Sequence, residues 1–223
     1  MTPQEKLRRD LDALPVFPLP DVVLLPYEMI PLNVFEPRYR RLVEDLLETR
    51  GHLGLVRLSP GYEPEYDRRP SLERRFGVGQ IVRHERQDDG RFHILVRGVA
   101  RAELVDEVPS DHPYRLVRAR LTDDLTPAGF DEEGAGERLR RMVFALCSSK
   151  AGPGANALAQ LASQTSGAGP LADAIVAALV TDLEKRQASL EADDVALRVG
   201  IAEAAVAELL VGRVPTSESR LRN

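Results

Sequence analysis

Hydrophobic residues are concentrated in one stretch near the start of the chain, residues 14–36. Prolines interrupt the apolar side chains of this stretch; Pro15, Pro18 and Pro26 are three of them. Proline lacks a backbone N–H and clashes with the preceding helical turn, so a continuous helix is excluded. A segment this apolar is also unsuited to a solvated linker. We therefore predict the opening strands of a small, buried, strongly bent sheet, with prolines at strand ends, edges or bulges.

The next hundred residues carry one helical pattern and several short strand patterns. Apolar positions recur every three or four residues after Pro37, which predicts a helix that ends near Gly51. Thr2 and Glu5 fit a capping box for a short first helix. Further strands are predicted at residues 52–58, 76–83, 91–99, 100–108 and 114–121, with Asp88-Asp89-Gly90 as a hairpin turn. Many short strands with few helices between them indicate a closed or half-closed antiparallel barrel.

Beyond residue 125 the apolar positions follow helical periods only. Residues 126–129, Thr-Pro-Ala-Gly, form a break, and apolar stripes follow at 139–146, 171–179 and 195–209. The fold class is therefore predicted as α+β, an antiparallel β-barrel followed by an α-helical bundle. The predicted parts are a barrel domain over 1–125, a helical bundle over 126–214 and a flexible tail over 215–223.

Composition and charge restrict the function classes. With 43% apolar and 29% charged residues, the chain of 223 residues can bury its own core, and its net charge of −5 does not favour general binding to nucleic acid or membrane surfaces. Cys147 is the only cysteine, which excludes an intrachain disulfide and suits a reducing compartment. The first fifteen residues have no apolar signal region, and residues 151–172 lack the apolarity of a membrane span. We expect a soluble cytoplasmic protein without membrane association.

No motif in the sequence predicts catalysis or metal binding. Gly77-Val78-Gly79 lacks the third glycine of a phosphate loop and lies within a predicted strand, where glycines permit a bend. The segment Ser148-Ser149-Lys150 lies near a helix end, where adjacent side chains do not face each other as a Ser–Lys dyad requires. The four histidines, His52, His84, His93 and His112, lack metal-ligand spacing. The sequence therefore predicts no catalytic residue, no metal and no cofactor.

The arginines of the predicted barrel are a possible nucleic-acid surface. Between Gly51 and Thr122 there are 13 arginines and 11 carboxylates, an excess of two. A nucleic-acid groove usually has a larger excess, together with aromatic residues that stack on bases. The sequence favours a solvated, ion-paired barrel wall. The residues considered for this surface are Arg83, Arg91, Arg97, Arg101, Arg115, Arg118 and Arg120.

Two groups of segments resemble the Lon substrate-binding (Lon N-terminal) domain family. The first group is Leu14-Pro15-Val16-Phe17-Pro18-Leu19, Asp21-Val22-Val23-Leu24-Leu25-Pro26, Ile30-Pro31-Leu32 and Phe35-Glu36-Pro37-Arg38-Tyr39-Arg40. The second group is Phe76-Gly77-Val78-Gly79-Gln80-Ile81, Asp89-Gly90-Arg91 and Arg97-Gly98-Val99-Ala100-Arg101. Residues 171–173 and 186–191 are similar to the helical part of that family. The chain departs from the family at Tyr27, where glycine is common, and over residues 151–169.

The resemblance implies a PUA-like barrel followed by a helical bundle that engages substrate proteins. It also implies a stand-alone form without the ATPase and protease domains of Lon. We therefore predict a non-catalytic module that binds unfolded or client polypeptides, with a Lon-type protease system as a further partner. Strand edges and apolar grooves bind extended segments through main-chain hydrogen bonds and side-chain pockets. The candidate contact residues are Phe17, Leu19, Tyr27, Met29, Phe35, Arg38 and Tyr39.

Two other functions remain open from the sequence. Barrels of the PUA type often bind RNA, so an RNA-binding PUA-like barrel is the alternative, although the small charge excess argues against it. The third candidate is an enzyme whose polar pocket lies around His84, His93 or the loop 59–75.

Overall fold

The computed structural model describes residues 2–65, 68–149 and 152–211. The strands in these ranges are β1 (Leu14–Leu19), β2 (Met29–Val34), β3 (Leu53–Arg57), β4 (Arg75–Arg86), β5 (Phe92–Val108) and β6 (Arg115–Leu121). The helices are α1 (Pro3–Asp10), α2 (Pro37–Thr49), α3 (Glu132–Ser148), α4 (Pro153–Gln164), α5 (Ala168–Leu179), α6 (Leu183–Glu191) and α7 (Val195–Val211). Two short 3₁₀ turns lie at Leu11–Ala13 and Glu63–Glu65.

Contacts divide the chain into two compact units. The first holds the residues up to Asp123 together with Arg186–Asp193. The second holds Asp124–Lys185 and the described residues from Asp194 onward. The first unit contains all six strands described above, and the second contains α3, α4, α5 and α7. The predicted α+β class is confirmed.

The strands of the first unit form a sheet that closes on itself. Their order is β2-β5-β4-β3-β1-β6, and β6 pairs again with β5. The residues 91–108, predicted as two strands, form the single long strand β5: its first part pairs with β2 and its last part with β6. A barrel of β5, β4, β3, β1 and β6 results, with β2 added beside the first part of β5.

One pairing differs from the predicted antiparallel pattern. β1 and β3 are parallel, with Val16 opposite Gly54 and Leu19 opposite Arg57. Parallel neighbours need a long crossover connection. Here the crossover contains β2 and α2, which both lie between β1 and β3 in the chain. The sheet is therefore mixed.

Two apolar clusters lie on opposite sides of the barrel wall. One cluster takes residues from all five barrel strands, and Val16, Val56 and Phe76 are among them. The other cluster packs the apolar stripe of α2 against the opposite face of the sheet. Successive residues of a strand point to opposite faces, so Leu55 belongs to the α2 cluster and Val56 to the barrel cluster.

The helices of the second unit enclose a buried ion pair. α5 packs against α3, α4 and α7. Arg198 of α7 is fully buried, and its Nη1 lies 3.1 and 3.0 Å from the two carboxylate oxygens of Asp173. Its Nη2 lies 2.5 Å from a carboxylate oxygen of Asp124. Burial opposes the charge of Arg198, but the carboxylates of Asp173 and Asp124 raise its pKa overall.

The segment 186–193 was assigned to the helical bundle from the sequence, whereas its contacts place it in the first unit. The reason is a set of polar contacts with β4. Gln187 Nε2 donates to the backbone carbonyl of Arg75 at 3.1 Å, and both Nη atoms of Arg75 pair with Asp193. The independent folding of the two predicted domains stays a prediction. The predicted flexible tail lies outside the described residues.

Candidate functional site

A buried connection leads from β1 to β2 and positions the candidate contact residues. Val23, Leu24 and Leu25 of this connection are 2% exposed or less. Their backbone lies directly against the barrel strands. A Cβ atom at Gly77 would come within 2.0 Å of the Leu24 carbonyl oxygen, and one at Gly98 within 2.0 Å of the Leu25 carbonyl oxygen. Glycine at these two positions therefore allows the connection to pack this closely.

The connection ends in a tight turn with Tyr27 at its tip. The backbone N–H of Glu28 donates to the carbonyl of Leu25 at 3.3 Å, which makes Pro26 and Tyr27 the central residues. Tyr27 has a φ of 69°. This arrangement corresponds to a type II turn, which favours proline first and glycine second because the second residue needs a positive φ. Tyr27 occupies the glycine position, and 57% of its surface is exposed.

A buried arginine clamps this turn. Nη2 of Arg186 lies 2.5 and 2.6 Å from the carboxylate oxygens of Glu28 and donates to the Val23 carbonyl at 2.8 Å. The same carboxylate accepts a hydrogen bond from the backbone N–H of Leu25 at 3.0 Å. The turn is thus held by charge-assisted hydrogen bonds, which are the stronger class in proteins.

β2 presents an exposed row of side chains on an edge of the sheet. In the described part of the chain β2 pairs with β5 alone. Met29, Pro31 and Asn33 are exposed, whereas Ile30 and Leu32 are half-buried and Val34 is buried. Phe35 continues the odd-numbered positions just beyond the strand. We use the name "outer row" for Tyr27, Met29, Pro31, Asn33 and Phe35.

The structure separates the seven predicted contact residues by exposure. Tyr27, Met29 and Phe35 belong to the outer row, at 57, 50 and 61% exposed. Phe17 and Tyr39 are buried, and their rings stack with centroids 4.1 Å apart. They lie in the α2 cluster because strand alternation turns Phe17 toward that helix.

The last two predicted residues lie beside that stacked pair. Leu19 is half-buried against the same cluster. Arg38 lies 4.6 Å above the centre of the Tyr39 ring and pairs with Glu36 at 2.8 Å. Phe17, Leu19 and Tyr39 therefore support the surface, and only Tyr27, Met29 and Phe35 extend well into solvent. The role of the seven residues in binding stays a prediction.

Most of the arginines considered for a nucleic-acid surface are engaged in ion pairs. Arg91 lies 2.6 Å from Asp89, Arg118 lies 3.2 Å from Asp106, and Arg115 pairs with Glu107. Arg101 is buried, at 7% exposed. Arg83 and Arg97 are exposed, and neither has an ion pair with any residue that the structure describes.

One carboxylate of the barrel wall has several cationic neighbours. Arg120 Nη2 lies 2.7 Å and Arg74 Nε lies 2.6 Å from the carboxylate of Glu103. The hydrogen bond from Arg120 lowers the pKa of Glu103 below its usual range, and the charges of Arg74 and Arg75 act in the same direction. This carboxylate therefore stays ionised at neutral pH and neutralises part of the arginine charge on the barrel.

Comparison with known proteins decides the family. Residues 13–203 match the family described as ATP-dependent protease La (LON) substrate-binding domain. The chain belongs to this family. The predicted resemblance to the Lon substrate-binding domain is therefore confirmed, and the family is named for substrate binding rather than for catalysis.

Relatives and solved structures agree with this assignment. Lon protease of Roseiflexus castenholzii is 31% identical over 192 residues, which cover 84% of this chain and 23% of that protein. Lon protease of Desulfosudis oleivorans is 25% identical over 190 residues, with 84% and 23% covered. The chain thus spans less than a quarter of the length of these relatives.

Two solved Lon domains share the fold. The N-terminal domain of Mycobacterium avium complex Lon protease superposes with a TM-score of 0.68 at 16% identity, covering 88% of this chain and 98% of that one. The Lon N-terminal domain protein of Xanthomonas campestris gives a TM-score of 0.57 at 22% identity, covering 91% and 99%. At these identities the likeness establishes the fold alone.

The sequence of this Lon substrate-binding domain did not predict that Arg83 and Arg97 lie beside the exposed side chains of β2. β5 places Arg97 opposite Met29 and Leu95 opposite Pro31. β4 places Arg83 opposite Leu95 on its other side. The alternation from His93 to Arg97 was a signal that odd-numbered side chains share one face. The sequence did not indicate that β2 is the neighbouring strand, because Met29 and Arg97 are more than 60 positions apart in the chain.

A cavity of about 450 Å³ adjoins His84, one of the positions considered for an enzyme pocket. Its polar side chains are Arg50, Gln80 and His84, and its lining contains no carboxylate or hydroxyl group. Among the lining residues, His84 is the side chain suited to acid–base chemistry, and no carboxylate of the lining accompanies it. No group of three or more His, Cys, Asp or Glu side chains in the described ranges is arranged to hold a metal ion.

None of the helices in the described ranges is both long and apolar enough to cross a bilayer.

Proposed function

We propose that this Lon substrate-binding domain binds unfolded or client polypeptides and performs no chemistry of its own. One observation carries the proposal: Tyr27, Met29 and Phe35 are at least half exposed along an edge strand whose leading turn is clamped by Arg186. Tyr27 and Met29 lie at one end of β2 and Phe35 at the other, and a group of large exposed apolar side chains favours an interaction site. The membership of the family supports a substrate-binding role.

The experiment is a titration of a fluorescein-labelled, reduced and alkylated protein that stays unfolded. We expect saturable binding to the wild-type chain and at least tenfold weaker binding to the triple variant Tyr27→Ser, Met29→Ser, Phe35→Ser. The matched control is Val105→Ser, Leu125→Ser, Leu197→Ser, which removes three apolar residues of similar exposure elsewhere. Absence of saturable binding at high micromolar concentration, or an equal loss in the control, contradicts the proposal.

The proposal includes a Lon-type protease system as partner and the cytoplasm as the place of action. It is supported by the family match and by the single cysteine. We expect the clients captured from native lysate by the wild-type chain, but not by the triple variant, to overlap with the substrates of a Lon-type protease. A captured set without that overlap separates this protein from Lon proteolysis.

RNA binding receives less support from the charge distribution. Arg91, Arg115 and Arg118 are ion-paired, and Arg101 is buried. A phosphate backbone would have to compete with these carboxylates. RNA binding with a steep salt dependence would restore this alternative.

A further inference from the structure

The surface beside the outer row carries two arginines that are available for a partner. Arg97 lies opposite Met29 across the β2–β5 pair, and Arg83 lies opposite Leu95 across the β4–β5 pair. Both are exposed, and no described carboxylate pairs with either. Opposite residues share one face of a sheet. Apolar side chains and two arginines without an ion-pair partner among the described residues therefore lie next to each other on the face formed by β2, β5 and β4.

The charge on this face is not uniform along the strands. The cross-strand row that contains Asn33 continues to His93 and Glu85. The row that contains Met29 continues to Arg97 and Gln80. The carboxylate of Glu85 therefore lies at the Asn33 end of the face, whereas Arg97, which pairs with no carboxylate of the described residues, lies at the Met29 end.

The backbone of β2 is also available on its outer side. The N–H of Gly98 donates to the carbonyl of Glu28 at 2.8 Å. Hydrogen bonds recur at every second residue of an antiparallel pair. The backbone N–H and C=O groups of the even-numbered residues of β2 therefore point toward β5. Those of Met29 and Asn33 point away from β5, toward the open edge. Pro31 lies at an outward position, so its missing N–H removes no hydrogen bond to β5.

We propose that β2 receives an extended segment of a client protein as an added strand, and that segments with a carboxylate beside alternating apolar residues are preferred. This inference rests on the proposed function and specifies its substrate class. Alternate side chains of the added strand then stand beside those of the outer row, on the same face of the sheet. The carboxylate pairs with Arg97 near Met29, because the opposite end of the face already carries Glu85.

The geometry permits this pairing. Neighbouring strands lie about 4.8 Å apart. The backbone of an added strand is then two strand spacings, roughly 10 Å, from that of Arg97. A glutamate and an arginine side chain that extend toward each other span this distance. Arg83 is one strand further away and contributes mainly to the potential of the face.

The charge preference is tested with three fluorescein-labelled ten-residue peptides that alternate Val or Leu with Ser and differ at one position, Glu, Gln or Lys. We expect the Glu peptide to bind about fivefold more tightly than the Gln peptide, with the Lys peptide weakest. Salt at 0.5 M should remove the difference, because the charges are exposed. Arg97→Gln should also remove it without weakening the Gln peptide. The control Arg118→Gln, which removes an exposed arginine elsewhere on the barrel, should preserve it.

The backbone contribution is tested with two N-methylated forms of the Glu peptide. One form carries methyl groups on odd-numbered amides and the other on even-numbered amides. Only one set of amides faces β2 in an added strand. We expect one form to lose at least tenfold in affinity and the other to bind nearly as tightly as the unmodified peptide. Equal behaviour of the two forms overturns strand addition.

The results separate this inference from the proposed function. If the unfolded protein binds through the outer row but the Glu, Gln and Lys peptides bind alike, the preference for carboxylates is wrong and client binding stands. If neither the unfolded protein nor any peptide binds, client binding itself is wrong. A dimer in sedimentation velocity that the wild-type chain forms, that the triple variant does not form and that the Glu peptide does not dissociate assigns this edge to a second copy of the chain and overturns the proposal.

Discussion

At the scale of single residues, Tyr27 combines backbone strain with exposure. Its φ of 69° lies in the left-handed region, which a bulky side chain seldom occupies. The turn would form more easily with glycine, and the ring contributes little to the core because it is mostly in solvent. Strained residues of this kind are concentrated at functional sites. The strain therefore supports a binding role for this ring.

Comparison of Tyr27→Gly with Tyr27→Ala tests this account. Both variants lose the ring, but only glycine relieves the left-handed conformation, which costs other residues about 1–2 kcal/mol. The greater freedom of glycine in the unfolded chain offsets roughly 0.5–1 kcal/mol. We expect Tyr27→Gly to be more stable than Tyr27→Ala by about 0.5–1 kcal/mol in urea unfolding. Both should bind the unfolded protein equally weakly; wild-type affinity in either variant excludes the ring as a contact.

At the scale of elements, the connection between β1 and β2 depends on glycines in the strands beneath it. Gly77 of β4 and Gly98 of β5 leave room for the carbonyls of Leu24 and Leu25. The backbone N–H of Tyr27 donates to the carbonyl of Gly98 at 3.0 Å. The position of the outer row is therefore set by a close backbone contact two residues before it.

The variant Gly98→Ala should disturb this contact. A new Cβ atom 2.0 Å from the Leu25 carbonyl oxygen forces the connection away from β5. We expect a loss of about 1–3 kcal/mol in urea unfolding, the usual effect of overpacking, together with weaker binding of the unfolded protein. As a control, Gly200→Ala adds a methyl group to α7 with no atom within 4 Å and should stabilise the helix by about 0.5–1 kcal/mol. Unchanged stability of Gly98→Ala would show that the connection adapts.

At the scale of the whole molecule, the two units offer separate spectroscopic signals. All five tyrosines lie between residues 27 and 114, and tryptophan is absent from the sequence. The second unit is built from helices, with Arg198 and Asp173 buried between α7 and α5. Tyrosine fluorescence therefore reports on the first unit, whereas circular dichroism at 222 nm reports mainly on the helices.

Arg198→Met should destabilise the helical unit selectively. Removal of one partner leaves the buried charge of Asp173 uncompensated, which typically costs about 3–5 kcal/mol. We expect the urea transition at 222 nm to move to lower concentration while the tyrosine transition stays in place. The control Arg138→Met breaks an exposed pair with Glu203 and should cost no more than about 1 kcal/mol. Equal shifts of both signals would show that the predicted domains unfold as one.

Features set by neighbouring residues could be predicted from the sequence alone. The capping box at Thr2 forms as expected, with the Thr2 hydroxyl accepting from the Glu5 N–H. The hairpin turn at Gly90 forms with its φ at 81°. The end of α2 was predicted at Gly51, but Arg50 itself takes the left-handed conformation. Such shifts are small because the same local preferences act at neighbouring positions.

The candidate site was predicted only in part, because exposure depends on strand pairing. Phe17 and Met29 are both large apolar residues in predicted strands, yet Phe17 is 4% and Met29 is 50% exposed. Phe17 lies in β1, which has β3 and β6 as neighbours and faces α2, whereas Met29 lies in an edge strand. No local pattern distinguishes the two positions.

The sequence by itself determined the extended proline-rich start, the hairpin, the helical second half and the family, since these follow from local backbone preferences and from segments that resemble related chains. Only the tertiary structure decided that β1 and β3 are parallel, that residues 186–193 belong with the barrel, and that Met29 and Arg97 share a face. These features depend on pairs of residues that are distant in the chain. Their contacts are chosen by the packing of the entire core and not by any one segment.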